Sequence, residues 1–251
     1  MSTLSRRALI GSGVVAAAGV VGSGLLSVGR AFGLIPPDSG GFYGPGETLS
    51  YAAHRLLGRN ALAREFPRAM ISAKPFANEL SPFSENFKAH EAANFAAWRL
   101  DVSGLVRSPA TLSLAELRAM GKESQITEVN CEEGWNYIAE WAGTPLSAVL
   151  NSVGVKPEAK YVVYLSEDTN WWDSIDLDEA MHPQTVLAWE MNGSALPVPF
   201  GGPLRIRVPR QLAYKSVKFI DRLVVTDSLR GFGKGKGSAS ADAGYAWYAG
   251  A

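Results

Sequence analysis

The chain contains a single cysteine, Cys131, among its 251 residues. One thiol cannot form an internal disulfide, so a folded state must be stabilised by packing instead of by covalent cross-links. About 220 residues would follow an N-terminal leader, and with 47% apolar residues and seven tryptophans they suffice for one sizeable core. Cys131 lies in Thr127-Glu128-Val129-Asn130-Cys131-Glu132-Glu133-Gly134-Trp135, where a functional thiol would be a nucleophile or a soft-metal ligand.

The start of the chain predicts export. Arg6-Arg7 precedes an uncharged stretch from Ala8 to Gly29 that is rich in Ala, Val and Gly, and this pattern resembles a twin-arginine export signal. We therefore assign residues 1–33 to the signal and expect a periplasmic protein. A single transmembrane anchor is the alternative, because the stretch approaches the roughly 20 residues of a membrane span. Ser27-Val28-Gly29 is a vague cleavage site, so retention of the leader as an anchor stays open.

The charge balance gives no case for nucleic-acid binding. The first 30 residues hold three arginines and no acid, so their removal takes the chain from 24 basic and 24 acidic residues to 21 and 24. The sequence also lacks HExxH, CxxC, GxSxG and the Walker lysine motif, and no GxGxxG follows a strand. The three histidines, His54, His90 and His182, are far apart in sequence.

The neighbours of Cys131 favour a ligand over a nucleophile. Glu132 and Glu133 would raise the pKa of an adjacent thiol and so disfavour a reactive thiolate. A bound metal would overcome that effect, because a coordinating thiol is deprotonated outright. The alternative is a buried structural cysteine that packs as a small apolar residue.

The pattern along the chain predicts a single mixed, β-rich α+β domain between two extensions. Residues 34–70 are assigned to a linker and N-terminal arm, with a short helix between Leu49 and Phe66. Residues 71–230 are assigned to the domain, which we expect to be irregular as far as Phe87. Residues 231–251, rich in Gly, Ser and Ala, are expected to be a mobile tail as far as Tyr245.

Local signals predict the elements of the domain. A capping box at Ser113-Leu114-Ala115-Glu116 opens a helix to Met120, Pro145 opens another that ends at Gly154, and Asp176-Leu177-Asp178-Glu179 opens a third. Asn192-Gly193 predicts a type I′ hairpin turn. Strands are predicted at Trp98–Val102, Gln125–Asn130, Tyr161–Leu165, Val186–Met191, Ala195–Val198, Leu204–Val208 and Lys218–Val225.

The segment from Arg205 to Arg222, near the carboxyl end, is basic and contains one acidic residue, Asp221. Its two amines, hydroxyl and backbone N–H groups within Tyr214-Lys215-Ser216-Val217-Lys218 suit a phosphate or pyrophosphate group. The alternative, equally supported by the pattern, is a strand with a solvated cationic face. The cations of this segment are Arg205, Arg207, Arg210, Lys215, Lys218 and Arg222.

Four blocks of the sequence together resemble the sulfite-oxidase family of molybdopterin enzymes, over most of the chain from about residue 78 to Val225. The blocks occur in the family's order behind the leader. They are Asn130-Cys131-Glu132-Glu133-Gly134-Trp135, Trp141-Ala142-Gly143-Thr144-Pro145-Leu146, Leu177-Asp178-Glu179-Ala180-Met181-His182-Pro183, and residues 193–209 followed by Tyr214-Lys215-Ser216-Val217-Lys218.

The resemblance implies a molybdenum–molybdopterin cofactor, one per chain, and two-electron oxygen-atom transfer. Cys131 would be the catalytic residue, as the single protein thiolate on molybdenum. Other residues would contact the pterin. Arg205, Ser216 and Lys218 would hold its phosphate end, Ser166 would place a hydroxyl near the cofactor, and Asn86 would lie in the arm that lines the pterin.

Two departures from the family's pattern bear on the substrate. Sulfite-oxidising members carry Arg-Asn-His where this chain has Glu85-Asn86-Phe87, and a carboxylate there would repel sulfite. Phe200 stands where relatives often place a polar side chain facing the cofactor. No haem-attachment motif is present, so electrons would pass through a separate partner, as in the branch of periplasmic methionine-sulfoxide reductases that works with a membrane haem protein.

We therefore expect a monomeric periplasmic oxidoreductase that reduces a small sulfoxide-type substrate. Oxidation of sulfite or an organic sulfur compound is the alternative within this class. A cofactor-free periplasmic module that captures an anion is the alternative from another class. Trp171-Trp172 lies in a predicted polar loop, where the pair would either rim a substrate entrance or pin the loop onto the core.

Overall fold

The computed structural model describes residues 28–29, 32–39, 44–78, 84–167 and 171–251. The leader assigned to residues 1–33 lies almost entirely outside this range. No helix in the described ranges combines the length and apolar character of a membrane span.

The described helices are α1 (Gly44–Leu57), α2 (Glu85–Ala92), α3 (Leu114–Ala119), α4 (Leu146–Val153), α5 (Leu177–Ala180) and α6 (Ala239–Asp242). The described strands are β1 (Arg99–Gly104), β2 (Ala110–Ser113), β3 (Glu123–Asn130), β4 (Asn136–Pro145), β5 (Tyr161–Ser166), β6 (Trp172–Asp176), β7 (Val186–Met191), β8 (Ser194–Ala195), β9 (Arg205–Arg207) and β10 (Ile220–Thr226).

These strands form two sheets. The first has the order β2-β1-β10-β5-β6, with β1 parallel to β10 and the remaining pairs antiparallel. The second has the order β3-β4-β7-β8, and β9 also pairs with β7. One mixed and one antiparallel sheet, with short helices and no regular βαβ rhythm, confirm the predicted β-rich α+β class.

Helix α4 shows how the sequence builds the core. The predicted apolar face, Leu146, Val149, Leu150 and Val153, is fully or almost fully buried, and the helix ends at Gly154 as expected. It packs into a cluster that includes Trp98 of the segment before β1 and Leu223 of β10. Burial of each large aliphatic side chain contributes about 1.5–3 kcal/mol, so this helix fastens the first sheet to the rest of the core.

Two local signals in the sequence are confirmed, a helix capping box by its hydrogen bonds and a hairpin turn by its backbone angles. Ser113 Oγ accepts from Glu116 N at 3.2 Å, and Glu116 Oε2 accepts from Ser113 N at 2.8 Å, which completes the capping box. Asn192 and Gly193 both have positive φ, at 52° and 79°, as a type I′ turn between β7 and β8 requires.

Several predicted boundaries are wrong. Helix α1 begins at Gly44 and ends at Leu57, because the chain then runs beside β3, where Phe66 N donates to Ile126 O at 2.9 Å. Strand β4 was not predicted, since its polar positions break the apolar alternation. Strand β6 occupies part of the expected polar loop, and its Asp173 is fully buried beside Lys215.

The first part of the predicted domain also contains a helix that was not expected. Residues 71–87 were predicted to be irregular, yet Ser84 Oγ accepts from Phe87 N at 3.1 Å and caps α2 at its start. Phe87 is buried and contacts the ring of Phe219 at a centroid distance of 5.1 Å. The capping serine and the buried aromatic both stabilise this short helix.

The expectation that the tail would be mobile as far as Tyr245 is wrong, because Ser240 and Ala241 in that stretch are helical and fully buried. We call residues 231–251 the C-terminal tail; it contains α6, and its Trp247 is only 2% exposed. Trp247 packs edge-on against Tyr51 of α1 at 5.7 Å, and its Nε1 donates to Ser174 Oγ at 2.8 Å. The low-complexity composition is therefore offset by aromatic side chains that reach the core.

Replacing Trp247 with alanine should lower the free energy of unfolding by about 3–5 kcal/mol, because a large buried ring leaves a cavity. Urea unfolding followed by circular dichroism measures this loss. Leu57→Ala is the matched control, since Leu57 is 88% exposed and its truncation should change stability by less than about 0.5 kcal/mol. Equal stability of the two variants would show that the tail is not packed.

A buried ion pair predicts acid sensitivity. Burial by itself would raise the pKa of Glu179, but hydrogen bonds from His54 and Arg210 outweigh burial and lower the pKa to about 2, from its usual 4.5. The pair is short, with Arg210 Nη2 at 2.6 Å from Glu179 Oε2. Because the folded-state pKa is the lower one, the resulting stability is present above the unfolded pKa and is lost as pH falls towards 2.

As pH falls from roughly 5 to 2, protonation of Glu179 should lower the wild-type free energy of unfolding by about 3 kcal/mol. Glu179→Gln should be less stable than wild type at neutral pH and should lack this part of the acid dependence. Urea unfolding at a series of pH values tests the expectation. Parallel pH profiles for the two proteins would contradict it.

Candidate functional site

Cys131 lies in the turn that joins β3 to β4, at one end of the second sheet. The turn is closed by two backbone hydrogen bonds, from Cys131 N to Trp135 O and from Gly134 N to Cys131 O, each 3.0 Å long. The cysteine is half-buried. The two strands therefore present the sulfur at a fixed place at the edge of a cavity.

The thiol is held in its protonated form in the absence of a cation. Burial, with Glu132 and Glu133 beside it, raises the pKa of Cys131 to about 12. Its Sγ is 3.4 Å from Glu132 Oε2 and 3.8 Å from Glu133 Oε2. A free thiolate is thus unfavourable at neutral pH, and a cationic ligand bound to the sulfur would reverse the balance.

A cavity of about 270 Å³ joins Cys131 to the basic segment. Arg205, Ser216 and Lys218, which lie far from the cysteine in sequence, line the same cavity. The volume is near the lower end of the range for small-molecule sites, roughly 300–1,000 Å³. Four of the predicted site residues are therefore brought together, and their roles towards a ligand remain predictions.

The second sheet is the reason these residues meet. Strands β4 and β9 both pair with β7, and Ala188 of β7 faces Gly143 on one side and Arg205 on the other. A Cβ atom at Gly143 would lie 2.0 Å from Leu187 O, so the close approach of β4 and β7 requires glycine there. Trp141 of β4 then lies under the guanidinium groups of Arg205 and Arg207, at 5.0 and 5.8 Å.

The cationic face expected to be solvated is buried. Arg205 and Arg207 are 4% and 1% exposed, because other parts of the chain cover both faces of β9. Within the described residues, Arg205, Arg207 and Lys218 have no carboxylate within salt-bridge distance. By contrast, Lys215 pairs with Asp173 and Arg210 with Glu179.

These three cations are held by neutral oxygens. Arg205 Nη1 donates to Phe200 O at 2.9 Å, and Lys218 Nζ donates to Asn78 O and Pro199 O at 2.8 and 2.7 Å. Burial and the nearby Arg205 lower the pKa of Lys218 to about 7, and burial lowers the pKa of Arg207 to about 9. Because Arg205 and Lys218 line the cavity without a carboxylate partner among the described residues, this end of the cavity favours an anion.

Ser216 offers a hydrogen-bond donor at the same end. Its Oγ accepts from Arg207 Nη1 at 3.2 Å and from Val208 N at 3.0 Å. Two accepted hydrogen bonds leave the hydroxyl proton to be donated elsewhere. The Nε atom of Arg205 is buried without a partner among the described residues and is a second unused donor.

Asn86 and Ser166 are not among the residues that line this cavity. Asn86 is exposed, and its Nδ2 donates to Glu167 Oε1 at 2.6 Å. Ser166 ends β5 and is buried, and its Oγ has no partner in the described part of the chain. Neither residue lines the cavity with Arg205, and their cofactor contacts stay predictions.

The residue expected to repel sulfite does not line the cavity. Glu85 is exposed in α2 and accepts from Lys88 Nζ at 2.7 Å. The carboxylates that do line it are Glu132 and Glu133, next to the cysteine. Negative charge is therefore present at the site, but a different pair of residues carries it.

Aromatic side chains surround the sulfur, and most of them were not predicted as site residues. Trp135 stacks on Tyr137 at 6.0 Å and contacts Phe76 at 5.0 Å, while Phe200 meets Tyr137 edge-on at 6.0 Å. Trp171 lines the cavity and also packs against the core, and Trp172 packs against the cluster that contains Trp247, so neither of the two interpretations of Trp171-Trp172 is excluded. Phe76 and Tyr245 carried no sequence signal, since neither lies in a recognisable motif. The aromatic residues that line the cavity are Phe76, Trp135, Tyr137, Trp171, Phe200, Tyr214 and Tyr245.

Comparison with known proteins agrees with this geometry. Residues 87–231 match the family model described as an oxidoreductase molybdopterin binding domain. The "Putative protein-methionine-sulfoxide reductase subunit YedZ1" of Azospira oryzae is 37% identical over 197 residues, which cover 78% of this chain and 70% of that protein. The protein-methionine-sulfoxide reductase catalytic subunit MsrP of Xanthomonas campestris pv. campestris is 35% identical over 148 residues, covering 53% and 46%.

A solved structure has the same fold. The sulfane dehydrogenase SoxCD from Paracoccus pantotrophus superposes with a TM-score of 0.52 at 24% identity, over 68% of this chain and 46% of that one. The chain spans less than half the length of the MsrP relative as well. The family model nevertheless matches more than half of this chain, and the predicted resemblance is confirmed. This protein belongs to the molybdopterin-binding oxidoreductase family.

Proposed function

We propose that the chain is an exported, molybdenum–molybdopterin-dependent enzyme that removes an oxygen atom from a sulfoxide-type substrate with electrons from a separate partner. The observation that carries the proposal is one cavity with a lone cysteine at one end and buried cations without carboxylate partners at the other. The names of the YedZ1 and MsrP relatives support the sulfoxide class. The Arg6-Arg7 leader supports export to the periplasm by the twin-arginine route.

The residues present fit the cofactor at both of its ends. Arg205, Lys218 and the free hydroxyl proton of Ser216 provide charge-assisted and neutral donors for a phosphate group. Cys131 Sγ provides one soft ligand for molybdenum, and the metal's charge would stabilise the thiolate despite Glu132. When bound, the cofactor supplies the two-electron redox chemistry of oxygen-atom transfer.

The chain contributes positioning, an apolar site and protons. Conversion of a sulfoxide to a sulfide consumes two electrons and two protons and releases water. Glu132 Oε2, 3.4 Å from Cys131 Sγ, is placed to carry a proton into the cavity. The rings of Trp135 and Phe200 restrict water and offer favourable contacts to the sulfur and methyl groups of the substrate.

Oxidation of sulfite is the less favoured direction. Sulfite is an anion, and the carboxylates of Glu132 and Glu133 line the cavity beside the reacting position. A sulfoxide is neutral and does not meet this repulsion. Two assays decide the direction: turnover of methionine sulfoxide with a reduced viologen dye, and turnover of sulfite with a ferricyanide acceptor. We expect the first to be faster than the second.

Protein expressed in a molybdate-replete host should carry about one molybdenum atom per chain and reduce methionine sulfoxide. Cys131→Ser should keep the fold and lose at least roughly a thousandfold of the activity, because a hydroxyl is a poor substitute for the thiolate ligand. Elemental analysis, circular dichroism and the viologen assay measure these quantities. A chain that binds phosphate but contains no molybdenum would instead support an anion-binding module.

The cationic end predicts selective loss of the cofactor. Lys218→Met removes a buried donor to the phosphate group and should weaken cofactor binding roughly tenfold or more, as expected for a hydrogen bond to a charged group. Pterin content per purified chain, measured by fluorescence after acid oxidation, reports this loss. Arg222→Met is the matched control, since Arg222 belongs to the same basic segment but its side chain is 52% exposed outside the cavity. Equal pterin content in the two variants would contradict the assignment of Lys218.

A further inference from the structure

The C-terminal tail forms part of the cavity wall. Ser240 and Tyr245 of the tail line the cavity together with Cys131 and Tyr214. The family model ends at residue 231, so this part of the wall lies outside the matched domain. Nothing in the proposed chemistry assigns a task to these residues.

Buried polar contacts fix the tail to the domain. Asp173 of β6 is fully buried, and its Oδ2 accepts from Ser240 Oγ at 2.9 Å while its Oδ1 accepts from Lys215 Nζ. Trp247 lies over Lys215 Nζ, with the ring centroid at 4.9 Å. The same carboxylate therefore connects the tail to the loop that carries Tyr214 and Ser216.

Tyr245 is held from both sides. Its backbone N donates to Ser240 O at 3.0 Å, and the next residue, Ala246, accepts from Tyr214 Oη at 2.7 Å. The rings of Tyr214 and Tyr245 contact each other with centroids 5.6 Å apart. Tyr245 remains 43% exposed and lines the cavity, so its ring is in contact with both solvent and the cavity wall.

Tyr214 connects this ring to the reacting end of the cavity. Tyr214 lines the cavity together with Glu132, and burial, with the carboxylates of Asp173 and Glu132, raises the pKa of its phenol. Glu132 is in turn adjacent to Cys131. The two tyrosines therefore line the same cavity as the sulfur, and Tyr245 is the more exposed of the two.

We propose that Tyr245 is a specificity-determining residue, whose ring limits the size of the molecule that can reach Cys131. An aromatic side chain with few rotatable bonds, anchored through its neighbours in the chain, restricts access at little entropic cost. The limit on access is inferred from the structure alone. Its effect on which sulfoxides are reduced rests on the proposed function.

The unique thiol allows a test that does not depend on turnover. In the full-length chain produced without cofactor, Cys131 is the sole cysteine and should react with N-ethylmaleimide faster than with the bulkier N-cyclohexylmaleimide. The raised thiol pKa slows both neutral reagents alike, so the ratio of the two rates isolates access. Tyr245→Ala should raise the relative rate of the bulky reagent roughly tenfold, the order of discrimination in an apolar pocket.

Three further variants complete this test. Tyr245→Phe keeps the ring and should retain the wild-type ratio, as should Leu57→Ala, which alters an exposed side chain outside the cavity. Tyr245→Trp enlarges the ring and should lower the relative rate of the bulky reagent. This variant provides the test if Tyr245→Ala does not fold. An unchanged ratio in a folded Tyr245→Ala or Tyr245→Trp protein would overturn the proposal.

The holoenzyme provides the second arm. Tyr245→Ala should improve kcat/KM for methyl phenyl sulfoxide relative to dimethyl sulfoxide, through a lower KM at nearly constant kcat. An unchanged preference for the smaller substrate would overturn the specificity role. If wild-type holoenzyme reduces neither sulfoxide, the proposed function fails, and the labelling ratios still decide whether Tyr245 limits access.

Discussion

The burial of positive charge without a carboxylate partner is the constraint on which the site depends. Removing Arg205, Arg207 and Lys218 from water costs several kcal/mol per ion, and backbone carbonyl oxygens offset only part of that cost. The ring of Trp141 adds a cation–π contribution. The remaining positive charge favours an anion, and the cavity beside Ser216 is where an anion can reach Arg205 and Lys218.

The other end of the same cavity has the opposite electrostatic preference. Cys131, Glu132 and Glu133 together stabilise a cation and disfavour a free thiolate. A ligand with a metal at one end and a phosphate at the other is therefore oriented by charge before any close contact is made. Because β3, β4, β7 and β9 belong to one sheet, the backbone ladder fixes the separation of the two ends.

Local structure was predictable where one short segment decides it. The capping box at Ser113, the Asn192-Gly193 turn and the apolar face of α4 depend on neighbours within a few residues, and all three were predicted. The C-terminal tail was not, because its composition is polar and glycine-rich. It is ordered by Trp247 and by hydrogen bonds to strand β6, more than 60 residues earlier in the chain.

The sequence by itself determined the chemical groups of this protein: one thiol between a strand and an acidic turn, a cluster of cations, and four motif blocks in a family order. The tertiary structure decided which groups act together. It buried five of the six cations of the basic segment, paired two with carboxylates, and placed Arg205 and Lys218 on the cavity wall with Arg207 behind Ser216. It also left Asn86 outside the cavity lining and added Tyr245 to it, because burial and long-range approach depend on how strands and tail pack together, which no local pattern encodes.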